Sequence, residues 1–175
     1  PSRPTTVPTS SAAGPTATAI PLTPTPVYKE SDREVVRIGH LLRRAGFGAT
    51  AEELKMFVSM GVAATVDYLV DYEKVDNQEV EDRISALNLA PIEGKGFVKF
   101  TDLQRWWLLR MIYTKRPLQE KMVLFWHGHL TSAQKKVGTG PSLFVQNELF
   151  RQQAMGNYGT LLKAISRDPA MLIWL

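Results

Sequence analysis

His127 and His129 stand one residue apart in "MVLFWHGHL" and are two of the chain's three histidines. Imidazole titrates near neutrality, so such a pair invites metal ligation or acid–base chemistry. Spacing decides between them. On a regular helix two rings reach one ion from i and i+3 or i and i+4, whereas i and i+2 point about 200° apart. His127 and His129 share an ion only if the helix ends near Trp126 and Gly128 turns both rings inward. A rotation of about 100° per residue puts Leu118, Met122, Phe125, Trp126 and His129 on one face. His127 then falls on the other side, near Glu120 and Leu124. The expectation is a buried, hydrogen-bonded His129, a more exposed His127 and no shared metal.

Two further constellations carry polar chemistry. Leu143, Asn147, Phe150 and Ala154 line up on one helical face, which turns the Asn147 amide inward. That amide needs partners, for which a histidine or a backbone carbonyl are candidates, and His129 in turn has Asn147 or a loop carbonyl from 131–140 as candidate partners. Glu148 lies on a different face, with Gln152. Arg33, Arg37, His40 and Arg44 follow spacings of four, three and four and form a stripe suited to an anion or an acidic partner. The plainer reading is a solvated face opposite Val35, Ile38 and Leu42. Three arginines around His40 oppose a metal cation there, so His40 is not counted as a ligand.

Other chemistries are missing from the pattern. There is no Gly-rich phosphate loop, serine elbow, H-E-x-x-H or paired-carboxylate motif. The chain has no cysteine, which excludes a disulfide framework, Cys-ligated zinc and thiol catalysis. No catalytic residue is assigned and no cofactor is expected; the alternative is a divalent metal at His127 and His129. The net charge of +4 is too small and too dispersed to imply nucleic acid. No apolar run approaches the roughly 20 residues of a membrane helix.

The elements that position these residues are helical. "SDRE" reads as a capping box with Ser31 as N-cap and Glu34 at N3, and Gly46 is expected to end that helix in the left-handed conformation. "TAEE" gives a second box, Thr50 with Glu53, for a helix stopped by Gly61. Helical patterns continue over 62–73, 77–89, 101–114, 117–130, 142–155 and 158–167. Pro117, Pro141 and Pro169 stand at helix starts, and "PIEGKG" (91–96) reads as a loop. No alternation supports a strand, so the fold class is all-α, a multi-helix orthogonal bundle. The helix at 101–114 is apolar nearly all round, which places it inside something larger. With "PAMLIWL" closing the chain one turn into an apolar helix, the bundle is expected to be incomplete and to pack against further polypeptide after Leu175.

Residues 1–29 differ from the rest. Most of the eleven prolines precede Val27, interleaved with Thr and Ser. This predicts an extended, polyproline-like linker or tail of the kind that is O-glycosylated on exported proteins. The domain is then 30–175, with a protein partner expected against the tail.

"HLLRRAGFGAT", "PLQEKMVLFWHGHL" and "NELFRQQAMGNYGTLLKAISRDPAMLIWL" together resemble the bacterial family of domain of unknown function 1800, from about Arg37 to Leu175 and as its N-terminal part. The motif residues are His40, Arg43, Arg44, Phe47, Gly48, Trp126, His127, His129, Arg151, Gly156, Asn157, Pro169 and Met171. The resemblance implies a largely helical protein, commonly exported, with no activity to carry over. The resulting expectation is an extracytoplasmic, secreted or cell-envelope protein with a binding or assembly role. The competing expectation is a metal-assisted hydrolase of envelope polymers with His127 and His129 at its site.

Overall fold

The computed structural model describes residues 29–86 and 99–175. The Pro/Thr-rich tail over 1–28 and the 91–96 loop lie outside the described residues. Among the described residues the structure is helical throughout, with no strand, and the fold class is all-α. The helices are α1 (Glu30–Ala45), α2 (Ala51–Val70), α3 (Gln78–Ala86), α4 (Phe100–Tyr113) and α5 (Pro117–His129). They continue with α6 (Gln134–Val137), α7 (Gly140–Gln152), α8 (Tyr158–Ile165) and α9 (Pro169–Trp174). Among the described residues no helix is long and apolar enough to cross a membrane.

Most helix ends follow local chemistry. Thr50 and Glu53 form the expected box, with Glu53 N donating to Thr50 Oγ1 at 3.2 Å and Thr50 N to Glu53 Oε2 at 2.7 Å. Gly61 interrupts α2 at φ 78°, a conformation that costs a side-chain-bearing residue about 1 kcal/mol or more. Proline opens α5 and α9 and lies in the first turn of α7. Asp168 caps α9 by accepting from Met171 N at 2.8 Å.

Two caps differ from expectation. α1 starts at Glu30, so Ser31 lies inside it, and Lys29 N donates to Asp32 at 3.3 Å. Gly46 is extended (φ −155°) rather than left-handed. Its role is steric, because a Cβ there would meet Pro117 Cβ at 2.8 Å. That contact lets the α1–α2 turn press onto the start of α5.

Three apolar clusters form the core. Ile38 and Leu42 of α1 meet Phe57 and Leu69 of α2, with Leu118 of α5 packed against them. Val80, Ile84, Leu103 and Trp106 join Val137, Leu143 and Ala170. Val123 of α5 joins Phe150, Ala154, Leu161, Ile165 and Met171. Helices α5 and α7 run side by side through this arrangement, and the polar chemistry sits between them.

Candidate functional site

Helix α5 turns inward a face that its apolar pattern does not announce. Glu120, Val123 and His127 follow spacings of three and four, and this row faces α7, with Glu120 only 2% exposed. Phe125 is 52% exposed, and His129 is exposed as well. The expected burial is therefore reversed: His127 is the mostly buried ring. The physical reason lies on α7, which presents a complementary set of polar groups. Leu118, Met122 and Trp126 still find apolar neighbours, packing half-buried on either side of that row. Trp126 Nε1 donates to Ala154 O at 2.9 Å, tying α5 to the end of α7.

Arg151 is the centre of the polar set. Its Nε donates to Glu120 Oε1 at 2.6 Å and its Nη2 to Glu120 Oε2 at 3.0 Å, a two-pronged buried pair. Nη2 also donates to Asn147 Oδ1 at 2.7 Å, and Nη1 donates to Glu148. Trp107 Nε1 completes Glu120 at 3.2 Å. Burial alone would lower the Arg151 pKa, but the hydrogen bond and charge of Glu120 outweigh it and hold the guanidinium above its ordinary value. The same guanidinium lies 5.0 Å from the Trp106 ring centre, a cation–π contact that also covers its face.

The tautomer of His127 follows from this chain of donors. Asn147 Oδ1 is taken by Arg151, so Asn147 Nδ2 is the donor in its 3.1 Å contact with His127 Nε2. His127 therefore accepts at Nε2 and carries its proton on Nδ1. Its ring lies 4.7 Å from both Trp107 and Phe150. Burial first, then the positive charge of Arg151, lowers its pKa from 6.5 to about 4. A neutral imidazole is the result at physiological pH.

His129 has other company. It stacks on Phe125 at 5.8 Å and meets the edge of Trp126 at 6.1 Å. Helix α5 runs unbroken past Trp126, whose carbonyl accepts from Leu130 N at 2.8 Å. The structure therefore does not bring His127 and His129 together. Among the described residues no group of three or more His, Cys, Asp or Glu stands where it could hold a metal ion.

Replacing His127 with Ala should lower stability by about 2 kcal/mol, because the Asn147 amide loses its acceptor and two rings face a void. His129→Ala should stay within about 0.5 kcal/mol, as for most surface changes. Urea titration of both variants checks this order. The inverse order would return the polar face to His129.

The α1 stripe lies apart from this network. Arg33, Arg37, His40 and Arg44 are all exposed. Several buried polar residues escaped the sequence reading, Arg110, Gln146 and Thr65 among them. Arg110 pairs with Glu81 through two hydrogen bonds while lying 4.7 Å from the Trp106 ring centre. Gln146 accepts from Ser132 and donates to Asp168 Oδ2 at 2.8 Å. Arg151 itself stands four residues after Asn147, so extending the inward Asn147 face by one turn would have found it.

A groove is the other feature of note. It opens between the α1–α2 turn, the start of α2 and the second half of α4, with a volume of about 700 Å³. Phe47, Met56, Leu108 and Ile112 line it at 44%, 45%, 53% and 60% exposure. Phe57 and Tyr68 form its floor, in edge contact at 5.3 Å. Gly48, at φ 110°, shapes the turn on one wall.

Searches of curated proteins and of solved structures found no match. The family described as "Protein of unknown function (DUF1800)" matches residues 40–175. That span is the C-terminal part of this chain, so the expectation that the chain represents the family's N-terminal part is set aside. A match over most of the chain settles the family, and the protein belongs to DUF1800.

Proposed function

We propose that this chain is a helical docking module of an exported, cell-envelope or extracellular protein, whose work is binding or assembly. The observation that carries the reading is the groove between the α1–α2 turn and α4. Four large apolar side chains surround one concavity there and remain open to solvent. Apolar surface gathered in a concavity is what interaction sites share, whereas single exposed apolar residues are ordinary. The polar residues of α5 and α7 point the other way in function: Glu120 already accepts from three donors. A carboxylate so occupied serves the fold. The competing hydrolase reading draws no support from where His127 and His129 lie. Export is supported by the Pro/Thr-rich composition of residues 1–29 and by the family resemblance.

A photo-reactive residue at Leu108, in the full chain within the producing organism, tests this. A discrete cross-linked protein is expected from Leu108 and none from Lys163, which is exposed on α8. Equal labelling from both positions, or none from Leu108, would defeat the docking reading.

A further inference from the structure

The lining of the groove says which kind of occupant suits it. Its charged residues are Glu53 and Lys115, one of each sign. Thr50 N donates to Glu53 at 2.7 Å, and Lys115 is paired with Glu79. Neither calls for a counter-charge from outside. The rings of Phe47, Phe57 and Tyr68 stand among Leu108, Ile112 and Pro117 on the same lining. An uncharged apolar segment matches such a trough. This chain carries one: residues 4–28 hold no charged side chain, and "IPLTP" (20–24) lies among them. Pro21 and Pro24 stand three apart, and a polyproline helix has three residues per turn, so the two prolines form one ridge. Aromatic-lined grooves take proline-rich strands of this spacing. The reach agrees as well. The described chain enters α1 at Glu30, and Leu42 of the groove lies twelve residues further along that helix. Those residues rise about 18 Å, which about six polyproline residues span at about 3.1 Å each. Counted back from Lys29, that length brings Thr23 and Pro24 level with Leu42, and Pro21 into the trough beyond it.

Resting on the docking reading above, we propose that residues 20–24 of this same chain double back along α1 and occupy the groove, so that an outside partner enters by displacing them. The proline ridge lies on the Phe47, Phe57 and Tyr68 rings, and Leu22 extends towards Leu108 and Ile112. Proline has its φ already fixed, so seating the strand orders little that was free. The short tether gives the segment an effective concentration of about millimolar order at the groove. A contact too weak to join separate molecules therefore holds within one chain. The tail then sets how readily the groove accepts a partner.

A chain without cysteine allows a designed pair to be read without background. Thr23→Cys and Ala49→Cys in the full chain put one thiol beside the ridge and one on the groove wall, where Ala49 is exposed. Under mild oxidation of the dilute protein a disulfide within one chain should form, seen as a faster band on a non-reducing gel. Adding Pro21→Asp and Leu22→Asp, or separately Ile112→Asp, should slow closure at least about ten-fold, with melting curves checking the fold. Closure at one rate in all these chains would overturn the inference, because the tether alone would then account for it. Disulfides formed mainly between molecules would overturn it too. In the producing organism, the Leu108 probe should capture more of its partner when Pro21→Asp and Leu22→Asp are present. An unchanged capture would contradict the competition between tail and partner. No partner from Leu108 in either chain, with closure still dependent on Pro21, Leu22 and Ile112, would defeat the docking reading alone and leave the tail in the groove.

Discussion

Arg151→Met should destabilise the protein by about 3–5 kcal/mol, the usual consequence of leaving a buried carboxylate without its cation. Glu120 is 2% exposed, so water cannot replace the two hydrogen bonds it accepts from Arg151. Asn147 loses the donor at its Oδ1 in the same step, which releases the orientation that feeds His127. Trp106 loses one of the guanidinium groups over its ring. The double variant Glu120→Gln, Arg151→Met should recover a good part of the loss, because it removes both charges together. Urea unfolding of the three variants yields the coupling directly. A single-variant loss below about 1 kcal/mol would mean that the pair is solvated, contrary to its burial.

The second large effect is with pH. The folded-state pKa of His127 lies at about 4, below its ordinary 6.5. The unfolded chain therefore takes the proton first as pH falls. The neutral ring's contribution is fully present above about pH 6.5, declines below it, and is gone once pH passes through about 4. The difference of about 2.5 pKa units corresponds to about 3 kcal/mol. Asp168 acts in the opposite sense in part of this range, since burial raises its folded-state pKa. Comparison with His127→Gln isolates the histidine. The wild-type advantage over His127→Gln at pH 7 should be lost and then reversed by pH 4, a change of about 3 kcal/mol in matched denaturant titrations. A constant difference across that window would show that His127 is not held neutral by the fold.

Helix positions were legible because their signals are local. Thr50 with Glu53, Gly61, Pro117 and Asp168–Pro169 each act through the neighbouring few residues, and the structure uses them all. Helix α6 went unread because four residues of "QKKV" hold no period. The inward face of α5 was misjudged for a deeper reason. Periodicity ranks faces by their own apolar content, yet the face that wins is the one whose partner satisfies it. Glu120 becomes buryable only because Arg151 and Trp107 meet it, and α5 alone does not contain that information. Asn147 was read correctly as inward because Leu143, Phe150 and Ala154 mark its face. The groove joins residues from Leu42 to Pro117 across α1, α2, α4, the start of α5 and the turns between them, so its shape is a property of packing alone.

On the proposed function, stability and docking reside in separate places, the α5–α7 network and the groove. The direct measurement is Leu108 photo-cross-linking in the full chain, carried out with Ile112→Asp and with His127→Gln alongside melting curves. Ile112→Asp should lose the cross-linked partner with its melting temperature unchanged, and His127→Gln should melt lower yet keep the partner while folded. A partner retained by Ile112→Asp, or lost by folded His127→Gln, would contradict the claim.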